Sequence, residues 1–577
     1  MPRRTGRIHV VKTTRIHNGK AYHSYLLGRS VRTGTRVRKE IVGNISHLPE
    51  RVIDIVRRAL KDEPLMSGDD FEIIRSLPHG DVHAVVTAIE RLGLERVLAP
   101  RRRCSEAALV TAMIAARIVA PHTKLATTRW WKTRTLAEDF GVQGATEDDL
   151  YAAMDWLLER QPAIQKQLAA RHLQPGGVVL YDVSSSYFEG TTCPLAKRGH
   201  NRDKKRDTLQ VNYGLVTDGR GCPVAVSVFP GHVHDTKTFL PEVERLRTEF
   251  GIRELIIVGD RGMIAQAAID EMQSIDGVSW ITALKAPQIQ ALRRGGTLQL
   301  GLFDERNLGE LTDPAYPGER LIACRNPELA KLRAHTRESL VAATERVLAP
   351  IQRRVEKGRL RGRAEIGLAV GRVINQYKVA KHFRVRITDT TLTIEQRPDR
   401  ITAEAALDGI YVIRTNVSPA TADAADAVRH YKALSTVERA FRSLKTVNLH
   451  IRPIHHRLED RVRSHIFLCM LAYYVEWHMR EAWRPLLFAD EDQAAKATRD
   501  PVAPAKRSDA AELKVATRQL DDGTPVHSFR TLLSQLSTIV RNWCRFRQHD
   551  EAATFTVTTT PTEAQRRAYD LLKQIAA

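Results

Sequence analysis

Cysteine is scarce, six in 577 residues, and Cys104, Cys193, Cys222, Cys324, Cys469 and Cys544 stand far apart with no C-x-x-C pair. Such spacing supports neither a disulfide framework nor a ribbon-type zinc site and suits a reducing compartment. Long apolar runs are missing as well. The densest, Ile466 to Val475, is about half of the roughly 20 residues a membrane helix needs, so it predicts a buried helix and no membrane span. The opening Met1-Pro-Arg-Arg-Thr-Gly-Arg has no apolar core of the signal-peptide kind, and a cytoplasmic location is expected. No G-x-x-x-x-G-K-[ST] loop occurs, which argues against a nucleotide cofactor. Acid is in deficit: 67 Asp and Glu face 89 Lys and Arg, a net charge of +22. So basic a chain points to a polyanion, nucleic acid before an acidic membrane.

What is present describes a folding, multidomain chain. Hydrophobic residues at 43% and charged residues at 27% exclude disordered and collagen-like classes, and the length exceeds what one core usually supports. Residues 1–50 hold eleven Lys and Arg, Arg3, Arg4 and Arg7 among them, against only Glu40 and Glu50. Their β-prone pieces between Gly-centred turns predict a basic β-rich module, with a solvated basic tail as the plain alternative. Residues 51–175 carry apolar positions at three- and four-residue steps, over 84–94, 105–119, 148–158 and 164–173, and predict a helical domain with Trp130 and Trp131 in its core. Gly176-Gly177 ends that pattern, and 176–285 reads as alternating α/β. Residues 286–405 are irregular, with two charged helices (327–348 and 349–358) and β-prone pieces at 383–387 and 391–394. Helical periodicity resumes within 406–485. The rest, 486–577, reads as a C-terminal linker and cap, polar to about 524 and mixed beyond.

Two short apolar runs carry the first candidate residues. Val178–Tyr181 ends in Asp182 and Leu255–Gly259 ends in Asp260. Runs of this kind predict strands buried on both faces of a mainly parallel sheet, whose active groups gather at the strands' carboxyl ends. Each aspartate alone would equally cap a turn. On a helix turning about 100° per residue, Tyr431, Leu434, Glu438, Phe441 and Lys445 fall on one stripe. A carboxylate there is costly to bury unless paired or bound to metal. A salt bridge from Glu438 to Arg442 or Lys445 is the plain reading; a three-carboxylate site with Asp182 and Asp260 is the functional one. Oxygen donors without clustered Cys or His suit Mg²⁺ or Mn²⁺. His232, His234 and Asp235 read as a surface turn more than as part of that site. Cys222 with His232 and His234 matches no common zinc spacing. His455, His456 and Arg457 fit a phosphate contact and a solvated loop equally.

Asp182, Asp260 and Glu438, within YDVSSSYFEG, VGDRGMI and Y-x2-L-x3-E-x6-K, resemble the DDE insertion-sequence transposases, in particular the bacterial cut-and-paste branch with a YREK-type signature. GHNRDKKRDTLQVNYGLV (199–216), FPGHVHDTKTF (229–239), RPIHHRLEDRVRSHIFLCMLAYYV (452–475) and the basic start are similar too, so the likeness covers most of the chain. It implies an α/β fold: a ribonuclease-H-like catalytic core split by an insertion domain over 286–405, behind the basic β module and the helical domain. It implies two Mg²⁺ or Mn²⁺ ions held by Asp182, Asp260 and Glu438, which act as catalytic residues in DNA cleavage and strand transfer. Tyr431 and Lys445 match signature positions that contact DNA phosphate. The signature's Arg is Leu434 here, with Arg439 and Arg442 as replacements, and Lys197, Arg198, Arg202, Lys204, Lys205 and Arg206 are read as a further backbone contact. The branch's hairpin chemistry holds a flipped base on a Trp of the inserted domain; no Trp lies between Trp280 and Trp477, leaving Tyr316, Tyr377, Phe383 or Tyr411. Implied partners are double-stranded DNA, as element ends and target, and further copies of the chain in a homodimer or higher oligomer, in the bacterial nucleoid. The alternatives are a ribonuclease-H-like nuclease that cuts without joining and an inactive DNA-binding repressor.

Overall fold

In the computed structural model the described residues are 4–33, 36–63, 71–102, 104–200, 202–203, 205, 207–303, 306–504, 506–546 and 554–576. Arg3, Lys204 and Arg206 lie outside them. The chain forms two compact units.

One unit comprises Met1–Leu77 with Val540–Thr559. Its strands His9–His17, Lys20–Thr33 and Arg36–Asn44 run antiparallel, and Arg4 lies in a short strand paired to the second of them. Tyr25, Ile45 and Ile53 make a small core under the helix Glu50–Ala59, while basic side chains such as Arg15, Lys20 and Arg38 are exposed. A three-stranded sheet joins Phe71–Pro78, Val540–Phe546 and Thr554–Thr558.

The other unit, Pro78–Ile539 with Thr560–Ala577, opens with helices α1 (Gly80–Arg91), α2 (Ser105–Val119) and α3 (Glu147–His172). α3 merges two stretches that periodicity separates. Pro162 sits inside it, and the backbone bond lost there is outweighed by Leu157, Ile164 and Leu168, which are buried and share a face only if the helix is continuous. Trp131 is fully buried and Trp130 packs partly buried against the same core.

There follow β1 (Val178–Tyr187), β2 (Gln210–Asp218), β3 (Pro223–Pro230), α4 (Thr236–Thr248), β4 (Leu255–Val258), β5 (Val278–Ala283), β6 (Leu308–Leu311), β7 (Arg320–Arg325), α5 (Pro327–Glu356), β8 (Ile410–Thr415), α6 (Ala424–Arg442) and α7 (Glu459–Ala482). The strands make one sheet in the order β6-β7-β8-β5-β4-β1-β2-β3. The parallel neighbouring pairs are β1–β4 and β4–β5 and the others are antiparallel, so the sheet is mixed where a mainly parallel one is expected. The short turn from Asp218 to Pro223 allows only an antiparallel pair, and β8 and β7 return antiparallel along the other edge.

α5 runs unbroken through Pro350, again joining two expected helices, and Phe383–Ile387 pairs with Leu392–Gln396 as a hairpin. Ile466 to Val475 is buried throughout within α7. Among the described residues no helix is long and apolar enough to cross a membrane. Within 486–524 lie helices Gln493–Thr498 and Asp509–Thr517, and Val502 is buried in the main core.

Candidate active site

β1 and β4 lie side by side with Leu180 in register with Val258. Asp182 and Asp260 each come two residues further along, so one register carries both carboxylates to the same end of the sheet. Asp182 stays within β1, its Oδ1 accepting from Val183 N at 2.8 Å. Asp260 lies past the end of β4, exposed, its Oδ2 accepting from Gly262 N at 3.4 Å. Burial pushes the Asp182 carboxyl up to about 7; the carboxylates of Asp260 and Asp235 add to the rise, and Val183 N–H and Arg202 oppose it. Arg202 is itself ion-paired to Asp235. The result is a knot of three acids with one guanidinium.

α6 packs on both strands. Asp423 caps it, accepting from Asp426 N at 2.7 Å, and Tyr431 points its hydroxyl at Asp260 Oδ1, 3.5 Å away. Burial raises Tyr431 to about 12, with Asp260 and Glu438 adding to the rise, so the phenol stays protonated and Glu438 shares its surroundings with Asp260. Glu438 is exposed rather than buried on an apolar stripe. Among the described residues it makes no hydrogen bond or salt bridge, so the expected pair with Arg442 or Lys445 does not form.

For Lys445 the reason is local. α6 stops at Arg442 and continues as a π-helical turn over Ser443–Val447, which changes the phase of the stripe. The turn is fixed by Glu476 of α7, a buried carboxylate that accepts from Ser443 Oγ at 2.9 Å and Asn448 Nδ2 at 2.6 Å. Lys445 therefore faces inward, with Nζ 3.3 Å from Asp203 Oδ1. Burial lowers its pKa and Asp203 works against that. Asp203 also pairs with Arg452 and accepts from Tyr187 N at 3.0 Å.

The remaining expected DNA contacts are spread out. Arg439 and Arg442 are exposed on α6, while Leu434 is half-buried against the core. Lys197 and Arg198 are exposed; Lys197 and Gln210 exchange backbone hydrogen bonds of 3.1 and 3.0 Å that close the basic loop. Lys205 is exposed, with Nζ 3.5 Å from the Tyr187 ring centre. Arg7 is paired with Asp62 at 2.7 Å. His232 and His234 are exposed, but Asp235 beside them is drawn into the acid cluster. Phe383 is buried, and Tyr316, Tyr377 and Tyr411 are half-buried. His455, His456 and Arg457 line a cleft of about 830 Å³ with Arg117, Lys124 and Arg461. Burial, with Arg117 adding, lowers Lys124 to about 7, and burial lowers His456 to about 3, so the arginines supply the charge there. Sequence reasoning missed Asp203 and undervalued Asp235. The signal available was an isolated acid within a dense basic or histidine-rich run, which is where a buried counter-ion is needed.

Among curated protein sequences none is significantly similar to this chain. Among solved structures the chain is similar to a piggyBac transposase, determined by cryo-EM as a synaptic complex with hairpin DNA. The match has 8% identity and a TM-score of 0.33, over 79% of this chain and 77% of that one, too distant to place any residue here. The family model described as the transposase DDE domain matches residues 174–475, from just before β1 through most of α7. More than half of the sequence is thus accounted for, and the chain belongs to the DDE transposase family and is an enzyme of that type.

Proposed function

We propose that Asp182, Asp260 and Glu438 are the catalytic set with which this transposase cleaves DNA at the inverted-repeat ends of a bacterial insertion sequence and joins them to a target. The observation that carries the reading is the β1–β4 register, which brings the two aspartates to one end of the sheet beneath the helix that bears Glu438. The strand order β3-β2-β1-β4-β5, antiparallel and then parallel, supports a ribonuclease-H-like core with residues 286–405 inserted before α6.

The donors fit a hard cation. Asp182 is held up at about 7 because burial and facing carboxylates penalise its charge, a penalty that a divalent ion at the same oxygens removes. Asp182, Asp260 and Glu438 would hold Mg²⁺ or Mn²⁺, two ions in the full reading, whose chemistry is to acidify an attacking water or 3′-hydroxyl and stabilise the leaving oxygen. Tyr431 donates toward Asp260 Oδ1 at 3.5 Å, a long contact that orients the carboxylate. Arg202 restrains Asp235, and Asp203 ties Lys445, Arg452 and the basic loop to the end of β1. Arg439 and Arg442, exposed on the Glu438 helix, contact phosphates with Lys197, Arg198 and Lys205. The basic sheet and the helical layer bind element ends, and a dimer or larger assembly brings two ends together in the nucleoid.

The test incubates the protein and an Asp182→Asn variant with labelled element ends, target plasmid and Mg²⁺. Joined products with the parent protein that vanish in the variant are expected. Cutting without joining makes the protein a nuclease, and end binding without cleavage by either protein refutes the catalytic reading.

A further inference from the structure

A second group of ligand-type side chains lies away from the carboxylates. His172 ends α3, Cys222 occupies the turn between β2 and β3, and His478 lies on α7. One ligand atom from each falls within 4.8 Å of the other two. They are remote in sequence, and only the packing of three elements brings them together. Tetrahedral zinc with bonds of about 2.3 Å to sulfur and about 2.0 Å to nitrogen separates those ligands by roughly 3.6 Å. Cys222 Sγ and His478 Nε2 are 3.7 Å apart.

We propose that His172, Cys222 and His478 bind a single thiophilic divalent transition metal, zinc in the first instance, distinct from the oxygen-ligand site of Asp182, Asp260 and Glu438. The surroundings are those of a built site. His172 Nε2 lies 3.0 Å from Tyr474 Oη, which orients the ring. Asp218 accepts from Cys222 N and Arg220 N, each at 2.9 Å, and fixes the turn that presents the sulfur. Trp477 and Tyr474 pack against the His478 ring. Binding breaks the Cys222 S–H bond, forms the metal–sulfur bond and releases the proton to solvent.

Such an ion would clip α3 and α7 to the β2–β3 turn. Gly221 in that turn has φ +90°, and a Cβ there would meet Thr436 of α6 at 2.7 Å. The turn therefore lies close against α6 two residues from Glu438, and an ion there would brace the helix that carries the third carboxylate.

The experiment uses the full chain, stripped by chelation and titrated with Co²⁺ as a spectroscopic substitute for zinc. A thiolate-to-cobalt charge-transfer band that saturates at one equivalent is expected, lost in Cys222→Ser and retained in Asp182→Asn. His478→Ala should weaken Co²⁺ binding at least roughly tenfold. No charge-transfer band in the parent protein, or a band that persists in Cys222→Ser, overturns the site. X-ray absorption at the zinc edge of the zinc-loaded parent needs no variant: sulfur at about 2.3 Å with nitrogen neighbours is expected, and a shell of oxygen alone refutes the proposal. Because the readouts are spectroscopic and the Asp182→Asn protein should retain them, failure here leaves the carboxylate reading untouched.

Discussion

Lys445 Nζ lies 3.3 Å from Asp203 Oδ1, and the side chains are only 11% and 2% exposed. A residue expected to meet DNA phosphate is thus already engaged by a buried carboxylate that also serves Arg452. Removing one partner of a buried pair costs roughly 3–5 kcal/mol because the other charge is stranded. Asp203→Ala should lose about that much stability in urea denaturation without DNA, and Lys445→Met should also be destabilised. A Lys445→Met protein as stable as the parent but weaker in DNA binding would return Lys445 to a purely phosphate-binding role.

The carboxylates should behave oppositely. Glu438 is exposed and without a hydrogen-bond or salt-bridge partner among the described residues, so Glu438→Gln should leave the thermal midpoint unchanged while cleavage of labelled ends falls by roughly 10³-fold or more, about 4 kcal/mol of transition-state stabilisation. Tyr431→Phe loses a 3.5 Å contact to Asp260, too long to be strong. Its cleavage rate should fall by no more than about tenfold, with stability unchanged.

Lys124 gives a pH signature. It is 4% exposed, and burial lowers it from 10.5 to about 7. Between those values the unfolded chain holds more protons than the folded one, so stability rises with pH from about 7 toward 10.5. Lys124→Met should therefore stabilise the protein, on the order of a few kcal/mol at pH 7 and below, with the gain fading as pH approaches 10.5. Thermal melts across that range read it directly; a gain that grows with pH would contradict the assignment.

Salt dependence should separate the two kinds of basic residue. Lys197 and Arg198 are exposed at the mouth of the basic loop, and the loss of each phosphate contact lowers the slope of log affinity against log salt by about one. The double alanine variant should bind element ends with a slope reduced by about two, measured by fluorescence anisotropy. An unchanged slope would place the DNA elsewhere.

Much of this site was legible in the chain because it depends on local grammar. The apolar runs before Asp182 and Asp260 are strands since Val, Ile and Leu in short unbroken stretches bounded by glycine have few other stable forms, whereas Ile466 to Val475 is a helix because no glycine or proline interrupts the longer stretch around it. Two helices expected to be divided, between 158 and 164 and between 348 and 349, run on through Pro162 and Pro350, because burial of one continuous face outweighs a lost backbone bond. The stripe through Glu438 failed at its end, where the π-helical turn held by Glu476 swings Lys445 inward.

By itself the sequence determined the charge excess, the two apolar runs that lead into Asp182 and Asp260 and the helix that carries Glu438, since each follows from composition or from periodicity within a few residues; that β1 runs on past Asp182 to Tyr187 did not follow from it. Tertiary structure alone decided which charges are free and which are spent. Asp203 with Lys445 and Arg452, Asp235 with Arg202, and His172 with Cys222 and His478 are partners far apart in the chain. The physical reason is that desolvation and pairing depend on separations of a few ångströms in space, which no one-dimensional spacing encodes.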